Sequence, residues 1–139
     1  MAIEIKGSDV RANTLVNPGW YIIEVKGMTI KAAKTDGSNN FNYDVKILSD
    51  LKGDTEFEDA RVKPILVNEK GIFGSSLNFF GACDPQVKAA MDAMKKDKNA
   101  LPVRIDENAP VGVKMKAKIE ITEFDSRKSN ECKDFLPLS

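Results

Sequence analysis

Asp54, Glu56, Glu58 and Asp59 crowd into "SDLKGDTEFED" (Ser49–Asp59), the most concentrated set of oxygen ligands in the chain. Such a set can hold Mg²⁺, which prefers oxygen donors. Carboxylates gathered in a turn-rich segment more often form a solvated acidic loop. The sequence contains no histidine. The usual general base is therefore missing, and with it Ser-His and Cys-His nucleophilic catalysis. Cys83 and Cys132 are widely spaced and form no CxxC pair, so a zinc site has almost no ligands to draw on. They read as reduced thiols. This inventory predicts a protein that is not an enzyme and that uses no metal and no other cofactor.

What remains is charge. Lysine plus arginine and aspartate plus glutamate both total 21 in 139 residues, a formal net charge of zero. The basic field that usually marks a nucleic-acid binder is absent from the chain as a whole. A polyanion would have to be held by a local patch. The charges are unevenly placed, with "VKMKAK" (Val113–Lys118) purely basic.

The elements that position these charges are mostly strands. The length suits one domain spanning residues 1–139. Residues 1–17 are polar and weakly patterned, an N-terminal arm or short edge strand. "WYIIEVKGMTIKAA" from Trp20 reads as a long first strand, with Tyr21, Ile23 and Val25 on one face. Gly27 marks a bulge that carries the apolar face on to Met28, Ile30 and Ala32. The Asp-Gly turn in "KTDGSNN" leads into "FNYDVKIL", where Phe41, Tyr43, Val45 and Ile47 alternate with polar residues. A third strand, roughly Phe57–Val67, is bulged or at an edge, because Pro64 cannot donate to a ladder. "NEKGIFGSSLNFFGACDP" reads as a loop. "DPQVKAAMDAMKKDK" is the one helix, with Asp84 as N-cap, Pro85 in the first position and lysines at its end. "VGVKMKAKIEITEF" and "ECKDFLPL" are two further strands around the turn "DSRKSN". Three strands, a helix and two strands, the first strand long and bent, describe a mainly β five-stranded OB-fold Greek-key barrel with one helix between strands 3 and 4. No apolar run approaches the ~20 residues of a membrane span. The polar start, "MAIEIKGSD", predicts a cytoplasmic protein.

"NPGWYIIEVKGMTIKAAKTDGSNNFNYDVKIL" (Asn17–Leu48) and "GVKMKAKIEITEFDSRKSNECKDFLPL" (Gly112–Leu138) resemble the opening and closing hairpins of the OB-fold single-stranded-DNA-binding proteins of bacteriophages. The resemblance covers under half of the chain. It implies sequence-independent binding of single-stranded DNA in phage DNA replication or recombination, in the host cell cytoplasm. Its partners would be the DNA, replication or recombination proteins, and in some cases a second copy in a homodimer. The family's acidic tail has no counterpart in "KDFLPLS". The competing reading is a β-barrel protein-interaction or virion structural module that binds no nucleic acid, in keeping with zero net charge.

A sequence-tolerant single-strand binder needs cations along the phosphates and flat side chains on which bases stack. The outward faces of the first three strands supply Lys31, Lys34, Asn42, Lys46, Arg61 and Lys63. Lys114, Lys116 and Lys118 form a second basic row, either an ordinary solvated face or an extension of the path. Among the aromatics, Trp20 lies on an outer face, where it either stacks on a base or packs under the arm. Phe73, between Gly71 and Gly74, is the candidate for a mobile stacking residue. Phe41 and Tyr43 lie on the apolar side, with Tyr43 set either in the core or at the barrel rim.

Overall fold

The computed structural model describes residues 2–34, 36–72, 74–99 and 104–138. The protein is mainly β. Five strands form one sheet: β1 Gly19–Ala32, β2 Asn39–Asp50, β3 Ile65–Asn68, β4 Lys114–Phe124 and β5 Arg127–Leu136. Their order is β3-β2-β1-β4-β5, and every neighbouring pair is antiparallel. The two edges of the sheet approach each other at a single parallel bridge, Val62 to Asn130.

Alternation explains which faces are buried. Tyr21, Ile23 and Val25 of β1 point into the core with Tyr43 and Ile47 of β2 and Met115, Ala117 and Ile119 of β4. The bulge expected near Gly27 is present as a register shift between Val25 and Gly27, which leaves Lys26 without a partner on β2. A second shift between Ile22 and Ile23 leaves Leu48 as the extra residue on β2. Each bulge increases local twist, so the long β1 can bend. Beyond Gly27 the expected inward face reaches only Met28, because Ile30 is 49% exposed and Ala32 is exposed at the end of the strand, past the packed core.

β3 is shorter than the sequence suggests. Residues 56–59 form a turn in which Ala60 N–H donates to the Phe57 carbonyl (3.0 Å). Asp59 takes a left-handed φ of 70°. Pairing with β2 then begins only at Ile65, after the proline.

The expected loop before Asp84 instead contains a helix, α2 (Ser75–Cys83), followed by α3 (Pro85–Lys96). "SSLNFFGAC" has no side-chain cap and no charge complementing its dipole, so local signals for a helix are weak. Burial stabilises it instead, since Phe79 and Phe80 are 0% and 3% exposed. Phe79 packs at 5.0 Å from Tyr43 and 5.1 Å from Phe135. Gly81 lets the helices meet closely, because a Cβ there would lie 3.3 Å from Met91 Cε. α3 starts as its sequence predicts, with the Asp84 carboxylate accepting from Gln86 N–H at 2.9 Å. A short helix, α1 (Gly7–Ala12), lies within the N-terminal arm, which forms no edge strand among the described residues. Among those residues, no helix is long and apolar enough to cross a membrane.

Asp125 and Ser126 join β4 to β5 with φ of 51° and 65°. Two successive left-handed residues give the turn twist that a two-residue hairpin needs, a geometry that favours glycine at its second position. The Ser126→Gly variant is therefore expected to be more stable by about 0.5 kcal/mol, relief of strain outweighing the added freedom of the unfolded chain. A urea midpoint at or below that of the wild type would contradict this.

Candidate nucleic-acid interface

The first three strands bring two rows of outward residues side by side, polar except for the exposed Leu66. Lys31, Asn40 and Asn68 are level with one another, as are Thr29, Asn42 and Leu66. Asn68 Nδ2 donates to Asn40 Oδ1 (2.7 Å) and to Ser38 Oγ (2.9 Å), which ties the start of β2 to the end of β3. Lys31 and Lys34 are exposed at the β1–β2 turn.

Lys46 does not stand free on this surface. Its Nζ lies 3.2 Å from Asp59 and 3.7 Å from Glu58. The hydrogen bond and charge of Asp59, assisted by Glu58, hold its ammonium above the ordinary lysine pKa. The rest of the acidic segment is folded around its own turns. Asp50 Oδ1 accepts from Lys52 N–H (2.8 Å) and Asp54 N–H (2.9 Å). Among the described residues, no group of His, Cys, Asp or Glu is arranged to hold a metal ion. Burial, and after it a neighbouring carboxylate, push the thiols of Cys83 and Cys132 up to about 12, so both are protonated at neutral pH.

Arg61 and Lys63 flank the point where the sheet edges meet. They line a groove of about 370 Å³ between the arm residues Asn13–Leu15 and the start of β5. Arg127 and Lys128 come from the other side of the same groove. Lys63 pairs with Glu131 at 3.8 Å, whereas no ion pair is recorded for Arg61, Arg127 or Lys128 among the described residues. The floor is held by Asn130, which is 3% exposed. Its Oδ1 accepts from Val16 N–H (3.0 Å), and its Nδ2 donates to the carbonyls of Thr14 and Arg61 (2.9 Å each). Its own carbonyl accepts from Lys63 N–H at 2.9 Å. One buried amide thus joins the arm, the segment before β3 and β5.

The aromatic candidates fare differently. Tyr43 is a core residue: it is 0% exposed, packs on Phe79 and donates its hydroxyl to the Glu107 carbonyl at 2.7 Å. With no free ring face it cannot stack on a base, which corrects its place among the binding candidates. Burial also raises its phenol pKa. Trp20 is half-buried, opposite Lys118 of β4. It borders a groove that also carries Asp50, Asp54 and Glu56, carboxylates that repel an approaching phosphate. Phe73 lies outside the described residues.

Sequence reasoning missed Arg127, Lys128 and Asn130, all within a stretch that looks like an ordinary turn and strand. The adjacent "RK" after the turn was the only local signal, and nothing local connects it to Arg61. No protein-family model matches the chain, and no curated protein is significantly similar to it in sequence.

Proposed function

We propose that the protein is an OB-fold barrel that binds single-stranded DNA without reading its sequence, in phage DNA replication or recombination. The observation that carries this reading is the groove that gathers Arg61, Lys63, Arg127 and Lys128 where the sheet edges meet. Clustered cations with few acidic partners are what a phosphate backbone requires, and a local cluster suffices in a chain of zero net charge. The strand order and the parallel Val62–Asn130 bridge support the barrel, since a five-stranded Greek key closes by joining its third and fifth strands. In such barrels oligonucleotides lie across strands 2 and 3 between the β1–β2 and β4–β5 turns. The exposed lysines 31 and 34 and the groove cations belong to those regions.

Anisotropy titration of labelled oligo-dT tests the reading. Four phosphate contacts predict that log K falls with log salt with a slope of about −3. Affinity should change little with base composition and be weaker for duplex DNA. Absence of oligo-dT binding at low salt would overturn it. The second reading, a protein-interaction module, is favoured by the exposed arm residues Ile3 (89%) and Ile5 (74%).

A further inference from the structure

Phe124 is the last residue of β4, and it is 80% exposed. Every other described aromatic side chain is buried or half-buried. An exposed phenylalanine forgoes the stabilisation that burying its ring would contribute. It is also presented by a strained turn, since Asp125 and Ser126 both hold left-handed φ without being glycine. Costs of this kind tend to persist where a surface is used. In register, Phe124 pairs directly with Arg127. Cross-strand partners lie about 4.5–5.5 Å apart at Cα. Directly opposed residues project from the same face of a ribbon, so Phe124 neighbours a residue that lines the groove.

Resting on the single-strand-binding reading, we infer that Phe124 is a base-stacking residue, working beside the phosphate contacts of Arg61, Arg127 and Lys128. A phosphate held by Arg127 brings an adjoining base within reach of the ring, and a two-residue turn leaves the platform little freedom to move away. Stacking on one phenyl face tolerates every base, which suits binding that does not read sequence. It also fills the role that the sequence assigned to Trp20 or Phe73.

The test compares wild type, Phe124→Ala and Phe124→Trp in oligo-dT titrations over a range of salt. Loss of one stacked base predicts weakening of about tenfold for Phe124→Ala. The salt slope should be unchanged, because no ionic contact is lost. Phe124→Trp should bind at least as tightly as wild type. Circular dichroism of Phe124→Ala should match wild type, because the ring is largely in solvent. Wild-type affinity in Phe124→Ala would overturn the inference while leaving DNA binding intact. So would unchanged affinity with an altered sedimentation coefficient, which would assign the ring to a protein contact. If the wild type itself fails to bind oligo-dT, the inference falls together with the reading beneath it.

Discussion

Reversing both Arg61 and Arg127 to glutamate is expected to weaken oligo-dT binding by about 100-fold or more. A unit charge pair at contact distance is worth about 1 kcal/mol in water and up to about 4 kcal/mol at a protein surface. Reversal replaces that attraction with a comparable repulsion, so two positions lose about 4 kcal/mol even at the lower value. Screening near physiological salt reduces this, leaving roughly two to three powers of ten. The salt slope should fall in magnitude from about 3 to about 1.5 if two of the four proposed phosphate contacts are lost. The single reversal Lys31→Glu should cost much less. Lys31 is level with Asn40 and Asn68 at the far end of β3, away from the groove. Both arginine side chains are exposed and form no ion pair among the described residues, so thermal stability should stay near that of wild type. An affinity loss below fivefold for the double variant would remove the groove from the DNA path.

Much of the sheet was legible because its signals are local. The alternation of Tyr43, Val45 and Ile47, and that of Met115, Ala117 and Ile119, each fixes a face within one strand. The Gly27 bulge and the Asp84–Pro85 helix start likewise depend on neighbours a few residues away. α2 was not legible, because its helical state rests on Phe79 and Phe80 packing against Tyr43 and Phe135, distant in sequence. The start of β3 was misjudged for a related reason. Proline was noticed, but the turn at residues 56–59 was not, and that turn carries Glu58 and Asp59 to Lys46. The candidate site was legible only in part. Arg61 and Lys63 stand out as alternate cations, whereas their grouping with Arg127 and Lys128 depends on a contact between residues 62 and 130. Side-chain type suggests chemistry, but only the closing contact decides which charges act together.

That closing contact leads to the second large effect, at Asn130. The Asn130→Ala variant leaves Val16 N–H buried without a partner, since Val16 is 2% exposed. It also removes the donor to the Thr14 and Arg61 carbonyls, which lie nearer to solvent and recover some hydration. An unsatisfied buried N–H costs about 1–3 kcal/mol and each lost neutral bond about 1 kcal/mol, so a total near 3 kcal/mol is expected. In a protein of this size that lowers Tm by roughly 10 °C. Asn130→Asp should be worse at neutral pH, although it keeps nearly the same shape. Its carboxylate can still accept from Val16 N–H, but it faces the two carbonyl oxygens with no proton to offer. Burial and those oxygens raise the folded-state pKa of the introduced carboxyl above its unfolded value. The folded state then binds the proton more tightly, so this variant should regain stability as pH falls through that raised pKa, a gain Asn130→Ala cannot show. Both variants should also bind oligo-dT more weakly, because the same amide holds Arg61 and the arm against β5. Melting curves at pH 7 and pH 5 decide the matter. Tm values within 2 °C of wild type for both variants, or a pH response common to both, would show that the arm and groove are held by something other than Asn130.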